Sequence, residues 1–481
     1  MRQPKFTFIN LPLPDAEQAG SLKDIANVLP PLGIGYIAAV LEQNKFTVSI
    51  IDARATELSL SQVEEIVSSS WPDIIGVTAT VLDINRALEF GTAIKKRFAH
   101  TILLLGGPHL TSLPKETLEQ SCYDIGVIGE GEFTMLELAQ AWTQAADQND
   151  FWLRLKSIGG LVFKHNGEII ATPGRGYIQD LDALPFPARH LYPPLSTYRP
   201  VPGSYMQLPM AHVISSRGCP YQCIYCDRSI FGQKFRSRSP KNVVDEIEEL
   251  VKLHHAKEIK FFDDTFTLDK KRVYGIIDEL KARNLKIKWS CLTRVNCVDL
   301  PLLTAMKESG CWQLLYGLES GDQRMLNIMK KGSTVEQNRN AVFWAKQVGM
   351  RVRAFFVLGM PGESKESLQT TVEFAKSLPL DFVNFYSVTL YPGNELYDMA
   401  KQEGKLRHSD FAHYNPLIDV HKTQLAYVPD EFSEEELKRL VAKAHKQFYL
   451  RPTYIARQIC TVRSLSDVLG YWRGFKAIVN L

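Results

Sequence analysis

The sequence predicts an α/β protein with two successive parallel sheets and a helical C-terminal region. In the first 146 residues, continuous apolar runs alternate with helical patterns, and strands of that kind are typical of a sheet covered on both faces. The same strand–helix alternation returns six times after residue 211. We therefore divide the chain of 481 residues into four parts, 1–146, 147–210, 211–400 and 401–481.

The composition is that of an ordinary globular protein. The chain is 45% apolar and 23% charged with a net charge of +3, which argues against a nucleic-acid partner because phosphate contacts need a basic surface. Its first residues lack the apolar stretch of a signal peptide, and no run of eighteen apolar residues occurs. We therefore expect a cytoplasmic protein.

Five strands and four helices are predicted in the first part. The strands are expected at 5–12, 46–53, 73–80, 101–105 and 124–128, and the helices at about 33–44, 59–70, 83–98 and from Glu132 onward. Ligands of parallel sheets bind at the carboxyl ends of the strands. Those ends carry three loops, two of them with glycines that let a backbone approach a ligand closely: Thr78-Ala-Thr80, Gly106-Gly-Pro-His109 and Gly129-Glu-Gly-Glu132.

Residues 147–210 are predicted to bridge the two α/β parts. The segment 158–173 has the pattern of a β-hairpin, with Asn166-Gly167 as a tight turn between apolar runs. The proline-rich stretch 184–194 cannot sustain a helix and is interpreted as an ordered linker.

The second α/β part is predicted to contain six strand–helix units. The strands are expected at about 212–217, 258–264, 286–294, 311–318, 350–359 and 382–391. The helices are expected at about 239–254, 269–284, 299–310, 322–348 and 364–378, with a break near Gly332 in the fourth.

Three cysteines in the motif CxxxCxxC follow the first of these strands: Cys219, Cys223 and Cys226. Thiolates packed this closely in a loop are typical of iron–sulfur clusters. Three protein ligands leave one iron of a four-iron cluster open to bind another molecule, whereas a ferredoxin closes that position with a fourth cysteine. The alternative is buried or zinc-binding cysteines, but zinc usually takes four ligands in paired CxxC motifs and no second pair occurs.

The cysteine spacing, with Tyr225 before the last cysteine, resembles the radical S-adenosylmethionine (SAM) superfamily. The resemblance implies a [4Fe–4S] cluster on the three cysteines, with SAM chelating the open iron, in a partial (βα)6 barrel of the TIM type. The loops of the first part, with 29–37 upstream, resemble the flavodoxin-like (Rossmann-type) cobalamin-binding domain that precedes many such barrels. The two resemblances together cover about residues 1–400 and leave a helical tail.

The resemblance also implies contacts with the two organic cofactors. Reactive groups in such barrels lie at strand carboxyl ends. Asp263 or Asp264 is expected to contact the ammonium group of SAM, and Arg294 its carboxylate. The other expected SAM contacts are Tyr225, Glu319, Ser320, Gly359 and Gly362. The expected cobalamin contacts are Thr78, Thr80, Gly106, Gly107, His109, Gly129, Glu130, Gly131 and Glu132. No residue is singled out as a catalytic acid or base.

The sequence departs from one cobalamin-binding pattern. Domains that place a histidine on cobalt carry Asp-x-His-x-x-Gly, and the corresponding loop here, 80–86, has no histidine. We expect no cobalt ligand from that loop. His109 is interpreted either as a cobalt ligand or as a loop histidine that donates a hydrogen bond, and the second interpretation is favoured.

Other charged and thiol residues keep more than one interpretation. Arg236 and Arg238 follow the cysteine motif and are either anion contacts or solvated side chains. Cys291, Cys297 and Cys311 are interpreted as small core residues rather than ligands of a second cluster.

The C-terminal part is predicted to be helical and basic. Ser433 begins a capping box, apolar residues then recur at helical spacing, and nine Lys or Arg stand against one acidic residue from Leu437 onward. With Tyr471, Trp472 and Phe475, this tail either packs as helices across the open barrel, which is favoured, or touches a membrane surface or an anionic substrate.

The resemblance implies an enzyme. One electron from the cluster would cleave SAM to methionine and a 5′-deoxyadenosyl radical, which abstracts hydrogen from an unactivated carbon that methylcobalamin then methylates. The alternatives are a cobalamin-dependent oxidative cyclase or rearrangement enzyme without methyl transfer, similar to anaerobic tetrapyrrole cyclases, and a non-catalytic iron–sulfur redox or sensor protein. The expected partners are a small-molecule, lipid or tetrapyrrole-like substrate and an external one-electron reductant of the flavodoxin or ferredoxin type, in a reducing compartment.

Overall fold

The computed structural model describes residues 2–12, 28–201, 203–407, 411 and 424–459. In its N-terminal part, strands and helices alternate as predicted. The strands are β1 (Lys5–Asn10), β2 (Thr47–Asp52), β3 (Ile74–Thr78), β4 (Ile102–Gly106), β5 (Ile125–Val127), β6 (Leu161–His165) and β7 (Glu168–Ala171). The helices are α1 (Leu32–Gln43), α2 (Leu60–Ser70), α3 (Ile84–Arg97), α4 (Pro108–Ser112), α5 (Pro114–Glu119), α6 (Glu132–Gln144) and α7 (Gln148–Leu155).

These strands form one sheet in the order β2-β1-β3-β4-β5-β6-β7, in which β1 to β5 are parallel. The hairpin β6–β7 adds antiparallel to β5, with Ile125 opposite Phe163. Phe163 is fully buried and lies in the same core as Phe151 and Leu155 of α7. The hairpin, predicted to belong to the bridge, therefore completes the first sheet, because it pairs with the strand edge that β5 otherwise exposes.

The second α/β part contains the strands and helices of the predicted barrel. The strands are β8 (Met210–Val213), β9 (Ser216–Arg217), β10 (Arg236–Ser237), β11 (Glu258–Phe261), β12 (Lys288–Thr293), β13 (Cys311–Glu319), β14 (Arg351–Leu358) and β15 (Phe382–Ser387). The helices are α8 (Pro240–His254), α9 (Lys270–Ala282), α10 (Leu300–Glu308), α11 (Gln323–Ile328), α12 (Val335–Gln347), α13 (Lys365–Ser377) and α14 (Glu395–Gln402).

Six of these strands form a parallel sheet in the order β15-β14-β13-β12-β11-β8, which confirms the six predicted strand–helix units. Alternate strand residues, such as Ile259 and Phe261 of β11, pack in one apolar core with residues of the surrounding helices. The predicted break in the fourth helix is confirmed: Gly332 has a φ of +66°, and α11 and α12 lie on either side of it.

The first barrel strand is shorter than predicted because the chain leaves the sheet after Val213. Asp263 accepts hydrogen bonds from the Ser215 amide at 2.7 Å and from the Ser215 and Ser216 hydroxyls at 2.6 Å. These bonds hold the backbone away from the sheet, and β9 then pairs with β10 as a two-stranded ribbon. Residues 218–235, between β9 and β10, carry the three cysteines and are called the cysteine loop.

Two C-terminal helices pack against the last barrel strand: α15 (Glu434–Tyr449) and α16 (Pro452–Ile459). The Tyr449 hydroxyl lies 2.6 Å from the Val383 carbonyl oxygen and 2.9 Å from its amide, in β15. Apolar residues of α15 enter the barrel core: Leu437, Val441, Ala444 and Phe448. The packing of tail helices on the open barrel, favoured from the sequence, is confirmed for these residues.

The aromatic end of the tail lies outside the described residues, and this includes Tyr471, Trp472 and Phe475. The predicted contact of this segment with a membrane surface or an anionic substrate stays a prediction. In the part of the chain that the structure describes, no helix combines the length and the apolar character needed to cross a bilayer.

Candidate active site at the carboxyl ends of the strands

The cysteine loop is positioned by contacts within the protein. Gly218 has a φ of +83°, and a Cβ at this position would lie 2.3 Å from the Lys234 carbonyl oxygen, so only glycine fits. Further along, the Ile224 amide donates a hydrogen bond to the Met329 carbonyl at 3.1 Å. The loop is thereby fixed against the barrel next to the end of α11.

The three predicted cluster ligands differ in environment. Cys223 is buried, Cys219 is half-buried and Cys226 reaches solvent. A hydrogen bond from Cys226, together with the positive charges of Lys331 and Arg294, lowers the pKa of the Cys223 thiol to about 5. The same bond raises the pKa of Cys226, so the proton of the pair rests there. Cys223 is therefore disposed to be a thiolate, the form of cysteine that binds iron.

No three His, Cys, Asp or Glu side chains of the described residues lie close enough together to hold a single metal ion. This result does not test a four-iron cluster, because each thiolate of such a cluster binds a different iron and the sulfur atoms stand apart. The remaining cysteines of the barrel, Cys291, Cys297 and Cys311, are buried, as the interpretation of core residues requires.

Sequence reasoning missed a buried ion pair beside the cysteine loop. Lys331 Nζ lies 2.7 Å from Glu319 Oε1, with side-chain exposures of 6% and 8%, and it lies 3.4 Å from the Tyr225 hydroxyl. Glu319 has a φ of +63°, a strained conformation for a residue with a side chain. Gly317 makes room for the pair, since a Cβ there would lie 2.2 Å from Glu319 Oε1. One sequence signal was present: Lys331 directly precedes the helix-breaking Gly332.

Arg294 lies against the cysteine loop. Its Nη1 donates to Cys223 Sγ at 3.3 Å, its Nη2 donates to the Lys331 carbonyl oxygen, and its guanidinium carbon lies 3.6 Å from the centre of the Tyr221 ring. A guanidinium at this place sits next to a predicted cluster ligand. The pairing of Arg294 with the SAM carboxylate is compatible with that position and stays a prediction.

The two aspartates after β11 have opposite surroundings. Asp263 is buried, and its carboxylate oxygens are occupied by Ser215 and Arg272. Asp264 reaches solvent, and its Oδ2 accepts a hydrogen bond from the Gly218 amide at 3.0 Å. Surrounding protein atoms and the charge of Asp263 raise the pKa of Asp264 to about 6. Of the two candidates, Asp264 is therefore the one whose carboxyl group is accessible, and its contact with the SAM ammonium group stays a prediction.

The other predicted SAM contacts are the side chain of Ser320 and the turn that contains Gly359 and Gly362. The Ser320 hydroxyl is fully buried and shares a hydrogen bond of 2.8 Å with Thr371 of α13, so it faces the helix. Gly359 and Gly362 have φ values of +86° and +73° in a turn after β14, whose Gly359 amide donates to the Glu363 carboxylate. A side-chain contact of Ser320 with SAM does not fit this geometry, whereas a backbone approach at the glycine turn does.

The loops after β3 and β4 form a cradle at the carboxyl edge of the first sheet. Gly107 has a φ of +99° and a ψ of 179°, a conformation essentially restricted to glycine. A Cβ on Gly107 would lie 2.6 Å from the Ala79 carbonyl oxygen and 2.8 Å from the Thr78 hydroxyl. At Gly129, in the loop after β5, a Cβ would meet nothing within 4 Å. Gly107 therefore lets the loops after β3 and β4 pack closely, and Gly129 leaves open space at the same edge.

Thr80 and His109 also lie at the carboxyl edge of the first sheet. The Thr80 hydroxyl donates to Asp83 at 2.8 Å and accepts from the Leu82 amide at 3.2 Å. His109 is buried with its ring edge-on to Phe411, at 4.6 Å between ring centres, and its Nδ1 has no hydrogen-bond partner in the described part of the chain. Burial lowers the pKa of His109 to about 4, so the ring is neutral.

Glu130 and Glu132 do not face this cradle. Glu130 accepts hydrogen bonds from Arg217 at 2.7 Å and from Arg236 at 2.8 Å, and Glu132 accepts one from Arg217 at 2.6 Å. The predicted cobalamin contacts of these two carboxylates therefore do not fit the structure. Arg236 and Arg238 are both buried in ion pairs, so neither the anion-contact nor the solvated interpretation of them is correct.

The ligand edges of the two domains border each other. Val81, in the loop after β3, lies in one apolar cluster with Ile224 of the cysteine loop and Met360 of the glycine turn. On the same side, a Cβ at Gly393 would lie 2.7 Å from the Ser112 hydroxyl of α4. The cradle of the first sheet and the strand ends of the barrel thus line one common region.

Comparison with known proteins identifies both domains. A family model described as the radical SAM superfamily matches residues 213–375, and one described as a B12 binding domain matches residues 21–139. An uncharacterized methyltransferase of Pyrococcus horikoshii is 35% identical over 94% of this chain and 94% of that protein. The chain belongs to the cobalamin-dependent radical SAM family.

Two further proteins are similar to this chain over most of their length. An anaerobic magnesium-protoporphyrin IX monomethyl ester cyclase of Rubrivivax gelatinosus is 29% identical, covering 90% of this chain and 76% of that protein. The solved cobalamin-dependent SAM radical enzyme OxsB superposes with a TM-score of 0.77 over 99% of this chain and 71% of that one, at 16% identity. The second likeness shows that the fold is shared.

The cofactors of this cobalamin-dependent radical SAM enzyme are a [4Fe–4S] cluster, SAM and cobalamin, as the sequence predicted. The residues present fit these groups. Three thiol groups on one loop, with two cationic side chains beside Cys223, suit a cluster. The backbone cradle at Gly107 and Gly129 and the unpartnered Nδ1 of His109 suit a bulky ligand with hydrogen-bonding groups.

Gly107→Ala is expected to destabilise the protein by about 1–3 kcal/mol and to reduce the cobalt retained after desalting, because the methyl group forces the cradle backbone apart. Gly174→Ala is the matched control, since Gly174 is exposed, a Cβ there meets nothing within 4 Å, and the residue is not a predicted cobalamin contact. Urea unfolding midpoints and cobalt per chain measure the two effects. Equal losses in both variants would contradict the assignment of the cradle to Gly107.

Proposed function

We propose that this enzyme methylates an unactivated carbon of a small-molecule substrate. The observation that carries the proposal is that the cysteine loop and the glycine cradle belong to different domains and yet border one region. A group that cleaves SAM and a group that carries methyl must both reach one substrate carbon, and this arrangement supports that requirement. The name of the relative in Pyrococcus horikoshii, a methyltransferase, points the same way.

In this proposal the barrel residues bind and orient the cluster and SAM. Cys219, Cys223 and Cys226 hold the cluster. Asp264 accepts a hydrogen bond from the ammonium group of SAM, and Arg294 donates hydrogen bonds to the SAM carboxylate. When bound, the cluster supplies the electron that cleaves SAM, and cobalamin supplies the methyl group.

Further barrel groups complete the proposed SAM site. Lys331 keeps Glu319 in place at the end of β13, where its carboxylate accepts hydrogen bonds from the ribose. The turn at Gly359 and Gly362 approaches the adenine with its backbone.

The domain assignment follows from the same placement. Residues 1–146, with the hairpin β6–β7 added, form the cobalamin-binding part, and residues 211–400 form the part for the cluster and SAM. The reductant is an external one-electron donor, because the chemistry needs a single electron and none of the described side chains supplies one.

The alternative is an oxidative cyclisation without methyl transfer. The likeness to the cyclase of Rubrivivax gelatinosus, at 29% identity over 90% of this chain, favours it as the second candidate. The two reactions differ in product mass, since methylation adds one methyl group and oxidative cyclisation removes hydrogen or adds oxygen.

Anaerobic reconstitution with iron, sulfide and hydroxocobalamin tests the proposal. We expect about four irons and one cobalt per chain after desalting, and 5′-deoxyadenosine when reduced protein is given SAM. Candidate substrates are then screened by mass spectrometry for the gain of one methyl group. Iron without retained cobalt would reject methyl transfer, and an oxidised product without methyl gain would favour the cyclase reaction.

A further inference from the structure

A buried ion-pair network joins the cysteine loop to the first domain at both ends of the loop. Arg217 stands directly before the loop and Arg236 directly after it, opposite each other in the β9–β10 ribbon. Arg217 reaches Glu130 at 2.7 Å and Glu132 at 2.6 Å, and Arg236 reaches Glu130 at 2.8 Å. Both carboxylates follow β5 at the ligand edge of the first sheet.

The opposite charges of the network are equal in number, and its side chains are buried away from water. It contains two arginines and two glutamates, with side-chain exposures between 2% and 5%. The guanidinium of Arg217 lies between the rings of Tyr36 and Phe231, at 5.1 Å from each centre. Buried charges that satisfy one another in this way tolerate few alternative arrangements, because each displaced charge would lie unpaired in a medium of low polarity.

We propose that Arg217, Arg236, Glu130 and Glu132 set the separation and orientation of the cluster relative to cobalamin. They are positioning residues, and the inference rests on the proposed function because it requires both cofactors to be bound. The two arginines clamp the base of the loop that carries the cluster ligands. Glu130 directly follows Gly129 and Glu132 begins α6, so both lie beside the cradle proposed to bind cobalamin without facing it. The network therefore links the two cofactor sites directly, and small displacements of reacting groups have large effects on radical and methyl transfer.

Two variants loosen the network while keeping its residues similar in size. Arg217→Lys preserves the charge, but a single ammonium group cannot bridge two carboxylates as a guanidinium does. Glu132→Gln removes one charge and almost no volume, and leaves the Arg217–Glu130 pair intact. Asp381→Asn is the control: it weakens the ion pair with Lys346, of 2.7 Å, away from the cysteine loop. Each holoprotein is reconstituted and assayed for iron and cobalt.

The decisive measurement is the spin relaxation of cob(II)alamin by electron paramagnetic resonance. A reduced, paramagnetic cluster accelerates this relaxation with a steep dependence on separation, whereas the oxidised, diamagnetic cluster does not. In Arg217→Lys we expect full iron and cobalt but about a twofold or larger loss of the enhancement, with a smaller loss in Glu132→Gln and none in Asp381→Asn. If Arg217→Lys fails to fold, Glu132→Gln decides the question.

The other outcomes separate the inference from the proposed function. An unchanged enhancement in both variants, with full cofactor content, would overturn the positioning role. Loss of cobalt with retention of iron would also overturn it, since the carboxylates would then bind cobalamin directly. An equal loss in Asp381→Asn would assign the effect to general destabilisation and reject the inference. Absence of cobalt from the wild-type protein would instead reject the proposed function itself.

Discussion

Replacing Cys223 by alanine is expected to abolish cluster assembly and, with it, cleavage of SAM. Cys223 is the buried member of the three cysteines, and Arg294 and Lys331 favour its thiolate form. Without it a cluster keeps two protein ligands, and iron content should fall from about four per chain to near zero. Iron analysis after anaerobic reconstitution, together with the yield of 5′-deoxyadenosine from SAM, measures the loss.

Cys122→Ala serves as the control for this experiment. Cys122 lies in the first domain, where its sulfur is 3.6 Å from the Thr92 hydroxyl, so its removal should leave iron content and SAM cleavage unchanged. If Cys223→Ala retains a full complement of iron, the assignment of the cluster to the cysteine loop is wrong.

Lys331→Met is expected to produce the largest loss of stability among single substitutions at the site. It leaves the Glu319 carboxylate buried without its partner, and breaking a buried ion pair in this way costs about 3–5 kcal/mol. The variant also removes a positive charge that lowers the pKa of Cys223, so that pKa should rise and the thiolate should become scarcer. Urea unfolding of the protein before reconstitution measures the stability, and iron content afterwards measures the second effect.

The neighbouring lysine provides the matched control. Lys330 has half of its side chain exposed and pairs with Glu395 at the surface, so Lys330→Met should cost no more than about 1 kcal/mol. Adding Glu319→Gln to Lys331→Met should recover part of the stability, because both buried charges are then gone. A cost of Lys331→Met equal to that of Lys330→Met would show that the pair does not stabilise the fold.

Local patterns in the sequence determined the elements and predicted the cluster ligands. The alternation of apolar runs with helical periodicity predicted the parallel strands of both sheets and the break at Gly332, because these features depend on residues near in sequence. The cysteine motif spans only residues 219–226, so the predicted ligand set needs no knowledge of the fold. Gly107 was likewise predicted from the sequence as a special backbone position, because a glycine after a strand often marks a conformation that other residues rarely adopt.

Tertiary structure decided which partner each charged side chain finds. Asp263 and Asp264 are adjacent in the loop after β11, and the sequence could not separate them. In the folded chain Asp263 meets Ser215 and Arg272 in the interior, whereas Asp264 meets the Gly218 amide and solvent. Lys331 pairs with Glu319 only because a strand end and a broken helix converge.

The same reason accounts for the predictions that failed. Glu130 and Arg217 are 87 residues apart, and the loop of the first sheet meets the cysteine loop only after both domains have folded. Glu130 and Glu132, which were expected to contact cobalamin, instead pair with Arg217, for which the sequence predicted no role, and Glu130 also pairs with Arg236, which was expected to be solvated or to bind an anion. Periodicity and motifs report what a segment forms by itself, whereas an ion pair depends on the distance between segments that only the packed chain brings together.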